Sequence, residues 1–196
     1  MTWSRSTWTR RGVLKAGGAL AGVSAAGLLV RPALSQQTPT SAPNIESSPR
    51  RIALLSIHTG ERLDIEYFRD GAYVPQALSA IEACLRDYRT GDRHAIDPAL
   101  MDTLHEVARA AGVDPAFSVI SGYRSPQTNA MLHERSSGVA QRSLHMEGRA
   151  IDVRVTGIDC ADLAARALDL KRGGVGYYRA SDFVHLDTGA FRTWKG

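Results

Sequence analysis

The sequence predicts an α+β fold in which a small antiparallel sheet is flanked by helices. Segments with β-strand and helical patterns occur in mixed order, without the regular strand and helix alternation typical of a parallel sheet. Turn signals such as Thr59-Gly60 separate neighbouring β-rich runs, which favours hairpins. The length of 196 residues is sufficient for one domain with a hydrophobic core behind an N-terminal leader.

The predicted strands are short runs rich in β-branched and aromatic residues. The first two are expected to form a hairpin at the start of the domain. One later strand buries alternate residues such as Ile151 and Val153, so Asp152 faces the opposite side. Strands are predicted at 51–58, 62–68, 117–121, 149–155, 175–178 and 183–187.

Helices are predicted from apolar residues at helical spacing and from residues that favour helix ends. Pro75 begins a helix whose apolar stripe extends from Leu78 to Tyr88. Asp97 caps a second helix, which stops at Gly112. Two more helices are predicted at 126–134 and 160–171, and a polar loop at 135–143.

Residues 1–35 have the pattern of an export signal. A basic start precedes an apolar stretch at 16–30, which is short for a membrane span, and small residues suited to a signal peptidase follow. The start resembles a twin-arginine signal through Arg10 and Arg11, with Val13 where Phe is usual. This resemblance implies transport to the periplasm by the twin-arginine route. Residues 36–50, rich in Thr, Ser, Pro and Gln, are predicted to be a flexible linker before the domain at 51–196.

The charge distribution argues against a nucleic-acid partner. The net charge is +4, but residues 1–36 contain five basic residues and no acidic one, so the rest of the chain is nearly neutral. We expect no stable membrane span in the mature protein. Cys84 and Cys160 both lie in predicted helices, and two cysteines define no disulfide framework, so a bridge between them is left open.

Two polar clusters contain candidate metal ligands. His145 lies in the loop before one predicted strand and Asp152 lies within that strand, with Gly148 allowing the backbone to turn between the loop and the strand. A carboxylate beside a buried strand is costly unless it is paired, and a metal shared with His145 would pair it. In a later strand, His185 alternates with apolar neighbours, so it lies on the polar face. Asp187 either supports a ligand or is a turn residue.

Two histidines and one aspartate are a plausible set of ligands for a catalytic zinc ion. Three protein ligands leave the fourth coordination position for water, whereas four would indicate a structural site. The alternative for His145, Asp152 and His185 is a hydrogen-bonded polar cluster without a metal.

Three motifs together resemble a known family. They are the segment 121–126 (Ser-Gly-Tyr-Arg-Ser-Pro), the seven-residue spacing from His145 to Asp152, and the segment 173–178 leading into 182–187. They resemble the D-alanyl-D-alanine metallopeptidases of the lysostaphin and hedgehog superfamily, and within it the murein endopeptidase K-like zinc peptidases. The resemblance spans most of residues 51–194. It implies a small α+β fold, one zinc ion and hydrolysis of peptide bonds in peptidoglycan.

The resemblance also implies catalytic roles for two further residues. Asp182 matches the general base that takes a proton from water and returns it to the leaving amine, although many relatives have Glu there. Arg124 matches an arginine that faces the substrate, where its planar donor group suits a carboxylate or a developing oxyanion. The alternative for Arg124 is a structural role that braces Asp152 or another carboxylate.

We therefore expect a monomeric, periplasmic zinc endopeptidase that hydrolyses peptide cross-links of peptidoglycan. Two alternatives stay open. One is a D,D-carboxypeptidase or dipeptidase that trims stem peptides, and the other is a non-catalytic wall-binding domain that contains zinc. The presence of Asp182 favours an enzyme, while the bond that it cleaves is left open by the sequence.

Overall fold

The computed structural model of the protein describes residues 48–136 and 138–196. The predicted signal at 1–35 and most of the predicted linker at 36–50 lie outside the described residues. Within the described ranges, none of the helices combines the length and the apolar character that a bilayer span requires.

The described chain contains strands and helices in mixed order, which confirms the α+β class. Most predicted elements are present, with bounds that differ by one or two residues. In chain order the elements are β1 (Arg50–Ser56), β2 (Arg62–Arg69), β3 (Ala72–Tyr73), α1 (Pro75–Cys84), α2 (Pro98–Ala111), β4 (Ala116–Ser121), α3 (Pro126–Arg135), a 3₁₀ helix (Leu144–Glu147), β5 (Ala150–Val155), α4 (Cys160–Leu170), β6 (Gly174–Tyr178), β7 (Phe183–Asp187) and β8 (Arg192–Lys195).

The strands form one mixed sheet in the order β3-β2-β1-β4-β5-β7-β6-β8. The predicted hairpin of β1 and β2 is confirmed. The prediction of a small antiparallel sheet is wrong, because the sheet has eight strands and contains two parallel pairs, β1 with β4 and β6 with β8. The long connection through α1 and α2 returns the chain in its original direction, which permits the first parallel pair. Neither β3 nor β8 was predicted.

The central strands bury one set of side chains against the helices. Ile151 and Val153 of β5 are fully buried in the hydrophobic core, together with Leu104 of α2 and Leu163 of α4. The predicted alternation along β5 is therefore confirmed. It leaves Asp152 on the other face of the sheet, where the candidate site lies.

Helix α1 ends earlier than its apolar stripe predicts. The helix stops at Cys84, and the carbonyl of Leu85 accepts a hydrogen bond of 2.8 Å from the amide of Tyr123. The chain leaves the helix because this carbonyl pairs with the segment after β4. Tyr88 therefore lies outside the helix. Both cysteines, Cys84 and Cys160, are free thiols in the structure.

Gly148 makes the turn between the 3₁₀ helix and β5, as the sequence predicts. Its φ of +65° is unfavourable for residues with a side chain. A Cβ atom added there would lie 2.0 Å from the carbonyl oxygen of Ala95. The carbonyl of Gly148 also accepts a 3.0 Å hydrogen bond from the amide of Asp97. The turn is thus packed against the start of α2.

Substitution of Gly148 by alanine should be much more destabilising than the same change at Gly157. Gly157 also has a positive φ, of +91°, but an added Cβ would meet nothing within 4 Å. We expect Gly157→Ala to lower the free energy of unfolding by about 1 kcal/mol through backbone strain alone. Gly148→Ala adds the clash with Ala95, for a loss of at least about 3 kcal/mol. Urea unfolding measures both, and equal losses would contradict the packing argument.

Candidate metal centre

The pairing of β5 with β7 brings two of the predicted ligands together. Asp152 lies directly opposite His185 in this antiparallel pair. Oδ1 of Asp152 lies 2.9 Å from Nδ1 of His185. Both residues are buried, with 6% and 8% of their surface exposed. Sheet register alone therefore places a carboxylate and an imidazole side by side.

His145 joins this pair from the 3₁₀ helix that precedes β5. Its Nδ1 donates a hydrogen bond of 2.8 Å to the carbonyl of Gly122, since a carbonyl can only accept. This leaves Nε2 facing the other two residues, 3.3 Å from Oδ1 of Asp152 and 3.2 Å from Nδ1 of His185. The structure thus brings together all three predicted ligands.

The spacing of these three atoms fits a tetrahedral metal. Their separations are 2.9, 3.2 and 3.3 Å. Zinc bonds of about 2.0 to 2.1 Å in tetrahedral geometry separate neighbouring ligand atoms by about 3.3 Å. Two imidazole nitrogens and one carboxylate oxygen are also ligands that zinc accepts. The residues present could therefore hold such an ion.

Asp187 holds the ring of His185 from behind. Its Oδ2 accepts a hydrogen bond of 3.0 Å from Nε2 of His185, which directs Nδ1 towards Asp152. The carboxylate of Asp187 is itself held by Arg192 at 2.6 Å and by the amide of Gly174 at 3.0 Å. These contacts favour the first interpretation of Asp187, as a residue that supports a ligand.

Strong electrostatic coupling links the three candidate ligands. Burial alone would raise the pKa of Asp152, but the charges and hydrogen bonds of His145 and His185 hold it well below its usual range. Burial lowers the pKa of His145. For His185, burial opposes the charged form, but hydrogen bonds to Asp152 and Asp187 raise its pKa to about 9. The buried carboxylate of Asp152 is therefore stabilised as an anion by its two histidine neighbours, and His185 favours its charged form.

The candidate centre opens onto a cavity of about 470 Å³. One wall is aromatic, because the rings of Tyr178 and Phe183 stack at 4.5 Å and Trp194 donates a 3.0 Å hydrogen bond to the hydroxyl of Tyr178. The ring of Trp194 also lies 5.1 Å from that of His185. The sequence interpretation missed Trp194, which lies on the unpredicted strand β8.

Arg124 lines the same cavity and also contacts a candidate ligand. Its Nη2 lies 3.5 Å from Oδ2 of Asp152. This contact is the one expected if Arg124 has a structural role and braces Asp152. Further hydrogen bonds join it to Ser121 at 3.3 Å and Asn129 at 3.4 Å. Its Nε is buried and has no hydrogen-bond partner among the described residues. One donor of the guanidinium is therefore unused.

Asp182 lies beside the cavity, but its side chain points elsewhere. It occupies the turn between β6 and β7 with a φ of +51°, and its side chain is 68% exposed. One carboxylate oxygen lies 3.8 Å from Nε of Arg154. Its neighbours Ser181 and Phe183 line the cavity, whereas Asp182 itself is not among the lining residues. The structure therefore does not bring Asp182 to the three candidate ligands.

A buried aspartate anchors the segment that carries Arg124. Asp87, which is 2% exposed, accepts hydrogen bonds from the amide of Ser125 at 2.9 Å and from its hydroxyl at 2.7 Å. Burial alone would raise the pKa of Asp87, but hydrogen bonds from Thr128, Ser125 and the amide of Arg89 lower it to about 2. The ionised carboxylate therefore stabilises this segment. No sequence pattern identified Asp87.

Loss of the Asp87 charge should lower stability in a defined pH range. The unfolded carboxyl titrates near pH 3.9, so the folded pKa of about 2 stabilises the native state above pH 4 by about 2 kcal/mol. This contribution is lost as the pH falls through 2. We expect Asp87→Asn to lower the free energy of unfolding at pH 7, with the difference from wild type shrinking below pH 4. Denaturant unfolding at several pH values measures it.

The exposed Asp92 provides the control for this change. Asp92→Asn removes the same charge and should change the free energy of unfolding by less than about 0.5 kcal/mol. A difference between wild type and Asp87→Asn that stayed constant from pH 7 to pH 2 would contradict a role of the ionised carboxylate.

Comparisons with known proteins identify the family. Residues 44–194 match the family described as peptidoglycan L,D-endopeptidase MepK. The peptidoglycan L,D-endopeptidase MepK of Escherichia coli strain K12 is 40% identical over 157 residues, which cover 80% of this chain and 86% of the relative. The probable peptidoglycan L,D-endopeptidase MepK of Haemophilus influenzae strain Rd is 42% identical over 149 residues, or 76% and 80% of the two chains. No solved structure matches the chain. The chain therefore belongs to the MepK family of M15 metallopeptidases, which confirms the resemblance seen in the motifs.

Proposed function

We propose that this protein is a zinc-dependent endopeptidase that hydrolyses peptide cross-links of peptidoglycan. The observation that carries the proposal is the spacing of 2.9 to 3.3 Å among one carboxylate and two imidazole ligand atoms that open onto a cavity. Relatives that are 40% and 42% identical are named peptidoglycan L,D-endopeptidases. Metal chemistry and peptide substrate are thus supported by independent observations.

In this proposal His145, Asp152 and His185 hold one zinc ion. The chemistry that zinc supplies when bound is Lewis acidity, which polarises a carbonyl group and makes water more acidic. The hydrogen bonds from His145 to Gly122 and from His185 to Asp187 keep both imidazoles oriented towards the ion.

Arg124 is proposed to hold the substrate at the carbonyl that is attacked. Its guanidinium lies in the cavity next to Asp152, and its Nε has no protein partner among the described residues. Donors that are already positioned stabilise an oxyanion as it forms. The aromatic wall of Tyr178, Phe183 and Trp194 would cover the bound peptide and exclude water from the reaction.

Asp182 is proposed as the general base. Among the described residues that line the cavity, Asp152 is the only carboxylate, and it is a proposed ligand. Asp182 is the nearest alternative in the chain, because both of its neighbours line the cavity. In this proposal its exposed side chain turns away from Arg154 and places the carboxylate in the cavity. There it would take a proton from water and deliver it to the leaving amine.

We also infer that the protein acts in the periplasm as a monomer after export by the twin-arginine route, without a membrane span in its mature form. The support is the twin-arginine pattern at Arg10 and Arg11 and the need for access to peptidoglycan.

Removal of zinc should abolish cleavage. The purified protein is expected to bind one zinc ion per chain and to remove cross-linked dimers when it digests isolated sacculi. Chelation should lower kcat/KM by at least about 10³-fold, because a bound ion contributes several kcal/mol to the transition state, and added zinc should restore it. His145→Ala should lose both zinc and activity. Elemental analysis and separation of muropeptides provide the measurements.

The half-buried His105 of α2, which does not line the cavity, is the matched control, since His105→Ala removes an imidazole that is not a candidate ligand and should keep zinc and activity. Cleavage that survives complete removal of zinc would contradict the proposal. Release of terminal D-alanine without loss of dimers would instead establish the carboxypeptidase alternative.

Substitution of Asp182 should reduce the catalytic rate without loss of zinc. General base catalysis contributes roughly 10²- to 10⁴-fold, so we expect Asp182→Asn to lower kcat by that factor at similar KM. Asp159→Asn, which removes another exposed carboxylate, just before α4, should have full activity. Initial rates of cleavage of purified cross-linked dimers give kcat and KM. A kcat for Asp182→Asn within threefold of wild type would exclude Asp182 as the base.

A further inference from the structure

The cavity above the candidate metal centre has an excess of positive charge. Its described lining includes three arginines, Arg124, Arg142 and Arg192, and a single carboxylate, Asp152. Arg192 is neutralised by the buried Asp187 at 2.6 Å. Arg124 faces Asp152 at 3.5 Å. A bound dication would add to the positive charge, so the cavity favours an anionic ligand.

Arg142 is the arginine of this set whose charge has no partner among the described residues. It is exposed and forms no hydrogen bond or ion pair with the rest of the described chain. Its guanidinium is therefore available to a ligand that enters the cavity. A guanidinium binds a carboxylate through two parallel hydrogen bonds, which gives both strength and orientation.

The backbone beside Arg142 is held in place by α3. The side-chain amide of Asn129, itself 2% exposed, donates hydrogen bonds to the carbonyls of Ala140 at 3.0 Å and Gln141 at 3.1 Å. Nδ1 of His133 donates another, of 2.6 Å, to the carbonyl of Val139. These bonds hold the cavity rim at a defined position, so Arg142 starts from an ordered backbone.

We propose that Arg142 binds a free carboxylate of the substrate and thereby makes the enzyme selective for anionic peptides. This inference rests on the proposed function and adds a specificity-determining residue to it. Stem peptides of peptidoglycan carry free carboxylates, whereas a fully amidated peptide offers no carboxylate to the cavity. The exposed position of Arg142 also predicts that its contribution weakens as salt screens the charge.

A substrate and variant cycle tests the proposal. The substrates are a purified cross-linked muropeptide dimer and the same dimer with its carboxylates converted to amides by carbodiimide and ammonia. The zinc-loaded wild type should cleave the free dimer with a kcat/KM about tenfold higher than the amidated one. Arg142→Gln should lose about tenfold on the free dimer and little on the amidated dimer. Arg142→Lys should recover part of the preference, since it restores charge without the planar donor pair.

Arg166 provides the control, because it is an exposed arginine on α4 that does not line the cavity. Arg166→Gln causes the same change in net charge and should keep the full preference for the free dimer. Equal cleavage of both dimers by the wild type, or equal losses on both in Arg142→Gln, would overturn the proposal.

Binding separates this inference from the proposed function. If the zinc-loaded protein cleaves neither dimer, the proposed function fails, and calorimetry with the same dimers then tests Arg142 directly. Tighter binding of the free dimer, abolished in Arg142→Gln, would support the carboxylate site. Equal binding of both dimers by the wild type would refute it.

Discussion

The buried carboxylate of Asp152 is the constraint on which the rest of the site depends. Transfer of an unpaired carboxylate from water into a protein interior costs several kcal/mol, so each neighbour must offer a hydrogen-bond donor or a positive charge. His145, His185 and Arg124 do so from three different segments of the chain. Strand β5 lies between β4 and β7, and this order places all three within reach of Asp152. The strand order of the sheet therefore determines which charged and polar groups can stabilise the buried carboxylate.

Each of these partners is held by a further hydrogen bond outside the cluster. The carbonyl of Gly122 orients His145, the carboxylate of Asp187 orients His185, and Asp87 anchors the segment that carries Arg124. Such supports restrict the rotamers of the candidate ligands before any ion binds, so little conformational entropy is lost on binding. The same supports explain why buried polar groups are concentrated here. They form a connected network in which most donors and acceptors have a partner.

The grouping of the three candidate ligands could be predicted from sequence because its signals are local. Alternation along the strands determines the faces of Asp152 and His185, and Gly148 marks the turn. The predictions that were wrong concern features that depend on contacts between distant segments. The pairing of Leu85 with Tyr123 ends α1, and the connection through two helices makes β1 and β4 parallel. Strand β8 has no alternation strong enough to reveal it. Asp182 lies in a turn with a positive φ, and no periodic pattern in the sequence predicts the direction of its side chain.

The side chains in and beside the cavity differ in how tightly they are held, and this difference suits a peptide hydrolase. The candidate ligands are at most 8% exposed and are held by hydrogen bonds, as a centre that must keep its geometry requires. Asp182 beside the cavity and Arg142 in its lining are both exposed, so their side chains can adapt to a peptide at little cost in packing. A peptide that fills the cavity would displace water, and the lower effective dielectric would strengthen the interaction of both charges with it. Adaptable groups thus gain their electrostatic strength only when the substrate is present.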